Sequence, residues 1–362
     1  MNTHKPQAKL SKEALQLRIK GLSDEPPAIS ELDLSAQDYA DIDLSGGAFC
    51  KVNFSGCDFS GANLQQANFV ECNLDGVNFT GCQLNESNFV KSSLAHGCFN
   101  KVSVSTMNLI ESVLDNASFA GSQCKHVNFV DCQLNNVSFV GSDFFEVSFI
   151  NAKLNGSKWQ NTSHYRTNYI DSEFTGANFD VAALELVFFQ KANFDHFDFT
   201  QVNIKICQFR ESSLKNANFA GCDLSQCGFM EAKLERTNFK GAIVNNAMFI
   251  KAKIDNSDFR DCKLEQALFN EAKVRQTNFA KATLVQAQFT DADVAQSSFD
   301  GCDLTYADFS NADMTDALIS HANLFRTNLH CIKDKGTNWF GSDRSLALAT
   351  DKKREQAEKF SQ

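Results

Sequence analysis

Along most of this chain an apolar residue recurs at every fifth position. From Leu34 the series runs Tyr39, Leu44, Phe49, Phe54, Phe59 and on to Leu324 and Leu329, without an insertion or deletion. That makes 60 consecutive pentads from Leu32 to Cys331. The residue two before each centre is nearly always small, as at Cys57, Ala62, Ala67, Cys72, Val77 and Cys82.

A period of five excludes both common elements. On an α-helix each step of five turns about 140°, which scatters the apolar residues around the cylinder. On a flat strand an odd step alternates faces, so the centres share no core. The period works if the chain turns a corner in every pentad, with the centre and the small residue pointing inward. Twelve pentads end in Gly, among them Gly56, Gly61, Gly121 and Gly241, which suits a corner needing permissive φ.

The number of sides follows from which centres alternate. Centres at positions ending in 4 are aliphatic in 24 of 30 cases, and those ending in 9 are Phe in 24 of 30. A three-sided coil would stack Leu on Phe. A four-sided coil of 20 residues stacks Phe59, Phe79, Phe99, Phe119 and Phe139 in one ladder, and Leu74, Leu94, Leu114, Leu134 and Leu154 in another. The pattern predicts an all-β solenoid, a four-sided parallel β-helix of about fifteen coils. At a strand spacing of about 4.8 Å that is a rod on the order of 70 Å long.

Stretches such as Ala62-Asn63-Leu64, Ala177-Asn178-Phe179 and Ala307-Asp308-Phe309 carry an A(D/N)LXX signature. In this the chain resembles the pentapeptide-repeat family over some four-fifths of its length. The resemblance implies the family's right-handed quadrilateral β-helix.

Three segments are expected: a helical cap and lead-in over 1–31, the repeats over 32–331, and a capping or dimerising tail over 332–362. Ser11 before Lys12 to Lys20, with Gly21 after, reads as a short capped helix. In the tail, Trp339 and Phe340 offer apolar bulk, and Ser342-Asp343 predicts a helix running to about Lys359 with Leu346 and Leu348 on it. These four apolar residues are the candidate cap or dimer contacts; a capped monomer is expected rather than an end-to-end homodimer.

Composition changes the picture little. Nine of thirteen cysteines, from Cys57 to Cys302, occupy the small-residue position, and no CxxC or zinc-like Cys/His spacing occurs. They read as small buried hydrophobes in a reducing compartment. Met1 to Lys20 lacks a secretory h-region and no apolar run reaches membrane length, so a soluble, cytoplasmic protein is expected. No HExxH, P-loop, GxSxG or GxGxxG motif is present, and the unbroken register leaves no inserted loop to carry chemistry. No catalytic residue, cofactor or metal is expected.

Two features stand out as candidate binding surface. In one coil Trp159, His164 and Tyr169 replace Phe, Leu and Phe, with Tyr165 and Arg166 alongside. This is either a ligand site or a repacked coil with His164 hydrogen-bonded in place. Further on, Lys233, Lys253 and Lys273 fall in one column, and Lys251 is expected between Glu231 and Glu271. Phe197, bulky at a small-residue position, reads as a bulge or bend.

Charge bears on the partner. Lys205 to Lys281 holds 13 basic and 9 acidic residues, between acidic stretches on either side. The main reading is a non-enzymatic protein-binding scaffold, with no direct nucleic-acid or membrane binding. The segment Leu10 to Leu15 resembles pentapeptide proteins encoded with bacterial type VI secretion systems. The alternative is a DNA mimic resembling the gyrase-binding quinolone-resistance members. Duplex DNA of about 70 Å would hold some 40 charges. The coils total −13, from 22 basic and 35 acidic residues, which counts against that alternative. A secreted effector is the third reading.

Overall fold

The computed structural model describes residues 9–22 and 27–360. The ends of the expected cap segments, residues 1–8, 23–26 and 361–362, lie outside the described residues. The chain divides after Ala183 into two compact units. Both are built from the same pentad.

In that pentad the centre and the residue two before it are buried, and the residues either side of the centre point outward. A backbone turn closes each corner, as where Cys57 N donates to Phe54 O at 3.0 Å. The last residue of the pentad takes positive φ, for example Gly56 at 67° and Glu71 at 52°. Glycine supplies only a minority of these corners. Asn, Asp, Gln, Glu, Lys and even Val181 and Ile206 adopt the left-handed conformation, because the inter-coil ladder on both sides fixes it.

The A(D/N)L signature has a local cause. The Asx residue before the centre accepts from the backbone N–H two residues on, as Asp58 Oδ1 does from Ser60 at 2.9 Å. Where it is Asn, its amide also donates to the Asx one coil earlier, as Asn78 Nδ2 does to Asp58 Oδ1 at 2.9 Å. At many positions where the small inward residue is Ser, Thr or Cys, its hydrogen finds a carbonyl 23 residues back: Ser212 Oγ to Phe189 O at 2.8 Å, Thr237 Oγ1 to Leu214 O at 2.9 Å, Cys262 Sγ to Phe239 O at 2.9 Å. Burial pushes the thiols up, Cys82 and Cys302 to about 12, so these cysteines are core residues without nucleophilic character.

In the first unit, parallel strands Ala48–Cys50, Asn68–Val70, Asn88–Val90, Asn108–Ile110, Asn128–Val130, Ser148–Ile150 and Asn168–Ile170 pair in a twenty-residue register. A second sheet pairs Ser103–Ser105, Gln123–Lys125, Asp143–Phe145 and Ser163–Tyr165 in the same way. Twenty residues are four pentads, hence a four-sided parallel β-solenoid. About nine turns carry regular strands, fewer than the fifteen expected coils. Other coils pair through single bridges at the same register, such as Leu268↔Gln288 and Gln288↔Asp308 in the second unit.

Like stacks on like in the core. Phe99 and Phe119 lie 4.5 Å apart at 2°, within the expected ladder Phe59 to Phe139. Neighbouring Phe ladders meet edge to face, as Phe239 does Phe249 at 6.0 Å and 89°. The Leu74 to Leu154 ladder is fully buried. At Phe197 no bulge forms: Asn218 N still donates to Phe197 O at 2.8 Å, and the half-buried ring leans on Phe194 and Phe199.

At the N-terminal end, helix α1 (Lys12–Ile19) starts at Ser11, whose side chain accepts from Ala14 N. It buries Leu15, Lys20 pairs with Asp43 at 3.1 Å, and Tyr39 donates its hydroxyl to Leu10 O at 3.0 Å. The C-terminal helix differs from expectation. Asp343 caps only a 3-10 turn, Arg344–Leu346, and helix α2 spans Lys352–Phe360. Between them the chain adds one more rung: Leu348 N donates to Thr327 O at 2.8 Å, and Leu329 N to Leu348 O at 2.9 Å. Backbone pairing of this kind needs no repeat signature, so it runs past Cys331.

Candidate functional site

The irregular coil lies in the first unit and separates into a core half and a surface half. Trp159 is buried in the Phe ladder, stacked 4.3 Å from Phe139 and 5.2 Å from Phe179. His164 is buried as well, so it is not binding surface; as a pentad centre it points inward. Its partners form a closed chain. Thr162 donates to Trp159 O at 2.6 Å, which leaves the Thr162 oxygen to accept from His164 Nε2 at 2.9 Å. Nδ1 then accepts from the Tyr169 hydroxyl at 3.0 Å. Burial lowers the imidazole pKa to about 3 and raises that of Tyr169, so both groups are neutral at ordinary pH. The ring is saturated by protein and offers no atom to a ligand.

The surface half holds more than Tyr165 and Arg166. Tyr165 points outward and stacks on Phe145 at 5.4 Å and 19°. Lys125 Nζ sits 5.3 Å from the Phe145 ring centre, and the Arg166 guanidinium 5.3 Å from that of Tyr165. Arg166 and His126 converge on Glu146 at 3.2 and 3.3 Å. Phe145 remains 39% exposed. Beside it runs an open groove of about 460 Å³, bordered by Ser103, Ser105, Gln123 and Asp143. Phe145 and Lys125 were not singled out from sequence. The available signal was an aromatic at an outward position, twenty residues before Tyr165.

In the second unit Lys233, Lys253 and Lys273 do occupy successive rungs, Lys233↔Lys253 and Lys253↔Lys273. Among the described residues none of the three is in an ion pair. Lys251 pairs with Glu271 at 3.5 Å but not with Glu231, which Arg210 holds at 3.3 Å. Acidic neighbours Glu211 and Glu231 border the groove below Lys233, so the local charge is mixed.

Of the tail residues, Trp339 is covered by Arg344 at 4.5 Å while Phe340 is 72% exposed. Leu346 and Leu348 take part through their backbones in the last rung, with side chains half out in solvent. Nearby, His330, Cys331 and Glu358 bring three donor atoms within 4.8 Å of one another. His330 Nδ1 accepts from Asp351 N at 3.1 Å, so its proton is on Nε2, the nitrogen facing Glu358. That tautomer disfavours an ion at this spot. Among the described residues no helix is long and apolar enough to cross a membrane.

Comparison with known proteins agrees with the register. The family described as "Pentapeptide repeat region" matches residues 33–109 and 222–297, and "Pentapeptide repeats (8 copies)" matches 122–159 and 295–330. The chain belongs to the pentapeptide-repeat family. No curated protein matches it. Among solved structures, it is similar to a trypsin-treated form of QnrB1, a plasmid-mediated fluoroquinolone resistance protein, at 20% identity over 55% of this chain and 90% of that one, with a TM-score of 0.34. A pentapeptide repeat protein of the Arabidopsis thaliana thylakoid lumen is 28% identical over 30% and 68%, with a TM-score of 0.21. HetL, involved in heterocyst differentiation regulation in Nostoc sp. strain PCC 7120, is 17% identical over 74% and 90%, with a TM-score of 0.17. At these scores the likenesses carry nothing about function.

Proposed function

We propose that the protein is a non-enzymatic scaffold whose flat faces hold a protein partner. The observation that carries this is the Phe145–Tyr165 stack, exposed on a sheet face and flanked by Lys125 and Arg166. Aromatic and Arg side chains of this kind dominate protein-interface energetics. Here the inter-coil ladder holds them in fixed register, so little conformational entropy is lost when a partner docks. Catalysis is not part of the reading. The one buried imidazole in the irregular coil is saturated and neutral, and the buried thiols are held protonated.

The test is cross-linked affinity capture from host lysate with wild-type protein and a Phe145→Ala/Tyr165→Ala variant. Partners captured by the wild type and lost from the folded variant support the scaffold reading. An identical set from both removes the stack from it. A supercoiling assay separates the DNA-mimic alternative: gyrase inhibition by this protein would favour mimicry over scaffolding.

A further inference from the structure

One outer face of the first unit carries no charge from strand Ala48–Cys50 to strand Asn168–Ile170. Its two outward columns differ in kind. In one, Asn side chains bond to each other along the ladder, Asn88 Nδ2 to Asn68 Oδ1 and Asn108 Nδ2 to Asn88 Oδ1 at 2.8 Å, and Asn128 Nδ2 to Asn108 Oδ1 at 2.9 Å. In the other stand Val70, Val90, Ile110, Val130, Ile150 and Ile170, each half-buried only by its neighbours above and below. Six β-branched aliphatics on consecutive rungs are what a sheet face carries when another surface covers it. Contiguous patches of this kind mark interaction sites.

The adjoining corner column says what fits. It reads Lys51, Glu71, Lys91, Glu111, Asp131, Asn151, Asp171. Lys51 pairs with Glu71 at 3.8 Å and Lys91 with Glu111 at 3.6 Å. Asp131 and Asp171 are in no ion pair among the described residues; Asp131 accepts only from Asn151, at 2.6 Å. The lysines therefore lie toward one end of the column, and the unneutralised carboxylates toward the other.

We propose that this face is the docking surface for a second copy of the chain, laid antiparallel about a two-fold axis at Ile110. The stripe from Cys50 to Ile170 is centred on Ile110, so the axis sets Val90 against Val130 and Val70 against Ile150 of the other copy. The same operation brings Lys91 opposite Asp131 and Lys51 opposite Asp171 of the other copy. On the axis Glu111 meets Glu111 of the other copy while it stays paired with its own Lys91, so the complementarity rests on the Lys91–Asp131 and Lys51–Asp171 pairings. A parallel pairing would set the aliphatic column against the Asn ladder, a chemical mismatch. Asn against Asn and aliphatic against aliphatic is the dry, like-on-like packing of paired β faces.

Seven rungs span about 30 Å and the face with its corners about 20 Å. The pair therefore buries about 1,200 Å² in all, the lower bound for a specific interface. The association is weak and weakens with salt. A dimer departs from the monomer expected from sequence, and the other corner of this face, His126, Glu146 and Arg166, adjoins the Phe145–Tyr165 surface.

The test is sedimentation velocity of the full chain over a wide concentration series. Expected is a monomer–dimer equilibrium, with dissociation at least about tenfold easier for Ile110→Lys and for Asp131→Lys/Asp171→Lys. Adding Lys51→Asp and Lys91→Asp to the latter restores self-association but not mixing with wild type. Circular dichroism checks that each variant folds, and Ile110→Thr serves if Ile110→Lys does not. A chain that stays monomeric up to its solubility limit overturns the proposal. So does a dimer indifferent to these changes but lost on Leu346→Asp/Leu348→Asp, which would place the contact at the chain's end.

Discussion

His330 Nε2 donates to Glu358 Oε2 across 3.1 Å, and the far nitrogen of the same buried ring accepts the Asp351 N–H that opens helix α2. One imidazole thus grips α2 at its first turn and again two turns later. The helix buries no side chain of its own, so polar contacts of this kind hold it on the last coil.

Removing that grip frees the tail without unfolding the coils. In His330→Ala or Glu358→Ala, trypsin is expected to cut at Lys352, Lys353, Arg354 and Lys359 well before the repeats are cleaved. Arg354, and after it His330, hold the Glu358 carboxyl below its usual range. A depressed carboxylate contributes above its unfolded pKa and is lost as pH falls through the folded one. Release of α2 should therefore also increase as pH falls below the ordinary carboxylate range, read as faster amide hydrogen exchange in α2. Equal cleavage rates in wild type and both variants would show that α2 is held by other contacts.

The neutral His164 makes the whole unit acid-sensitive. Its folded pKa of about 3 lies far below the unfolded value of about 6.5. The unfolded state therefore takes up the proton first, and stability is complete above the unfolded pKa and lost as pH falls. Between about pH 6.5 and 4 the expected slope is about 1.4 kcal/mol per pH unit. His164→Leu removes the ring nitrogen that accepts from the Tyr169 hydroxyl and is expected to cost about 1–3 kcal/mol at neutral pH. His164→Leu/Tyr169→Phe, which restores the commonest centre residues, should recover most of that and flatten the acid slope in urea titrations. A slope unchanged in the double variant would contradict the assignment.

Thr167 is the reverse case. Its hydroxyl is buried and has no hydrogen-bond partner among the described residues, unlike Thr162, Thr237 and Thr277. Val147 fills the same place one coil earlier. Thr167→Val is expected to stabilise by about 1 kcal/mol, read as a higher urea midpoint at unchanged slope.

Val181 holds φ at 59°, a conformation that β-branched residues avoid, and its side chain is 66% exposed. The strain costs about 1–3 kcal/mol, partly offset in a glycine variant by the greater freedom of the unfolded chain. Val181→Gly is therefore expected to stabilise by about 1 kcal/mol in thermal melts. A loss of stability would mean the side chain packs more than its exposure indicates.

The pentad was legible because each inward position must be refilled every five residues, and Phe99 on Phe119 or Leu94 on Leu114 leaves the sequence no choice. The site was legible only in part. Position within the pentad already separates His164, a centre, from Tyr165 and Arg166, which lie outside; grouping them by chemistry hid that. Phe197 gave a false bulge for a related reason, since a large ring can lean out while its backbone keeps register. The left-handed corners at Val181 and Ile206 carry no residue signal because the ladder imposes them. The rung at Leu348 carries none because it is made of backbone.

The most direct measurement of the binding role is photo-cross-linking from a benzoylphenylalanine placed at position 145, with position 133, on the opposite face of the first unit, as the control. Expected is a discrete cross-linked partner from position 145 that is absent from position 133. No adduct at 145, or the same adducts from both positions, would contradict a partner-binding surface at the Phe145–Tyr165 stack.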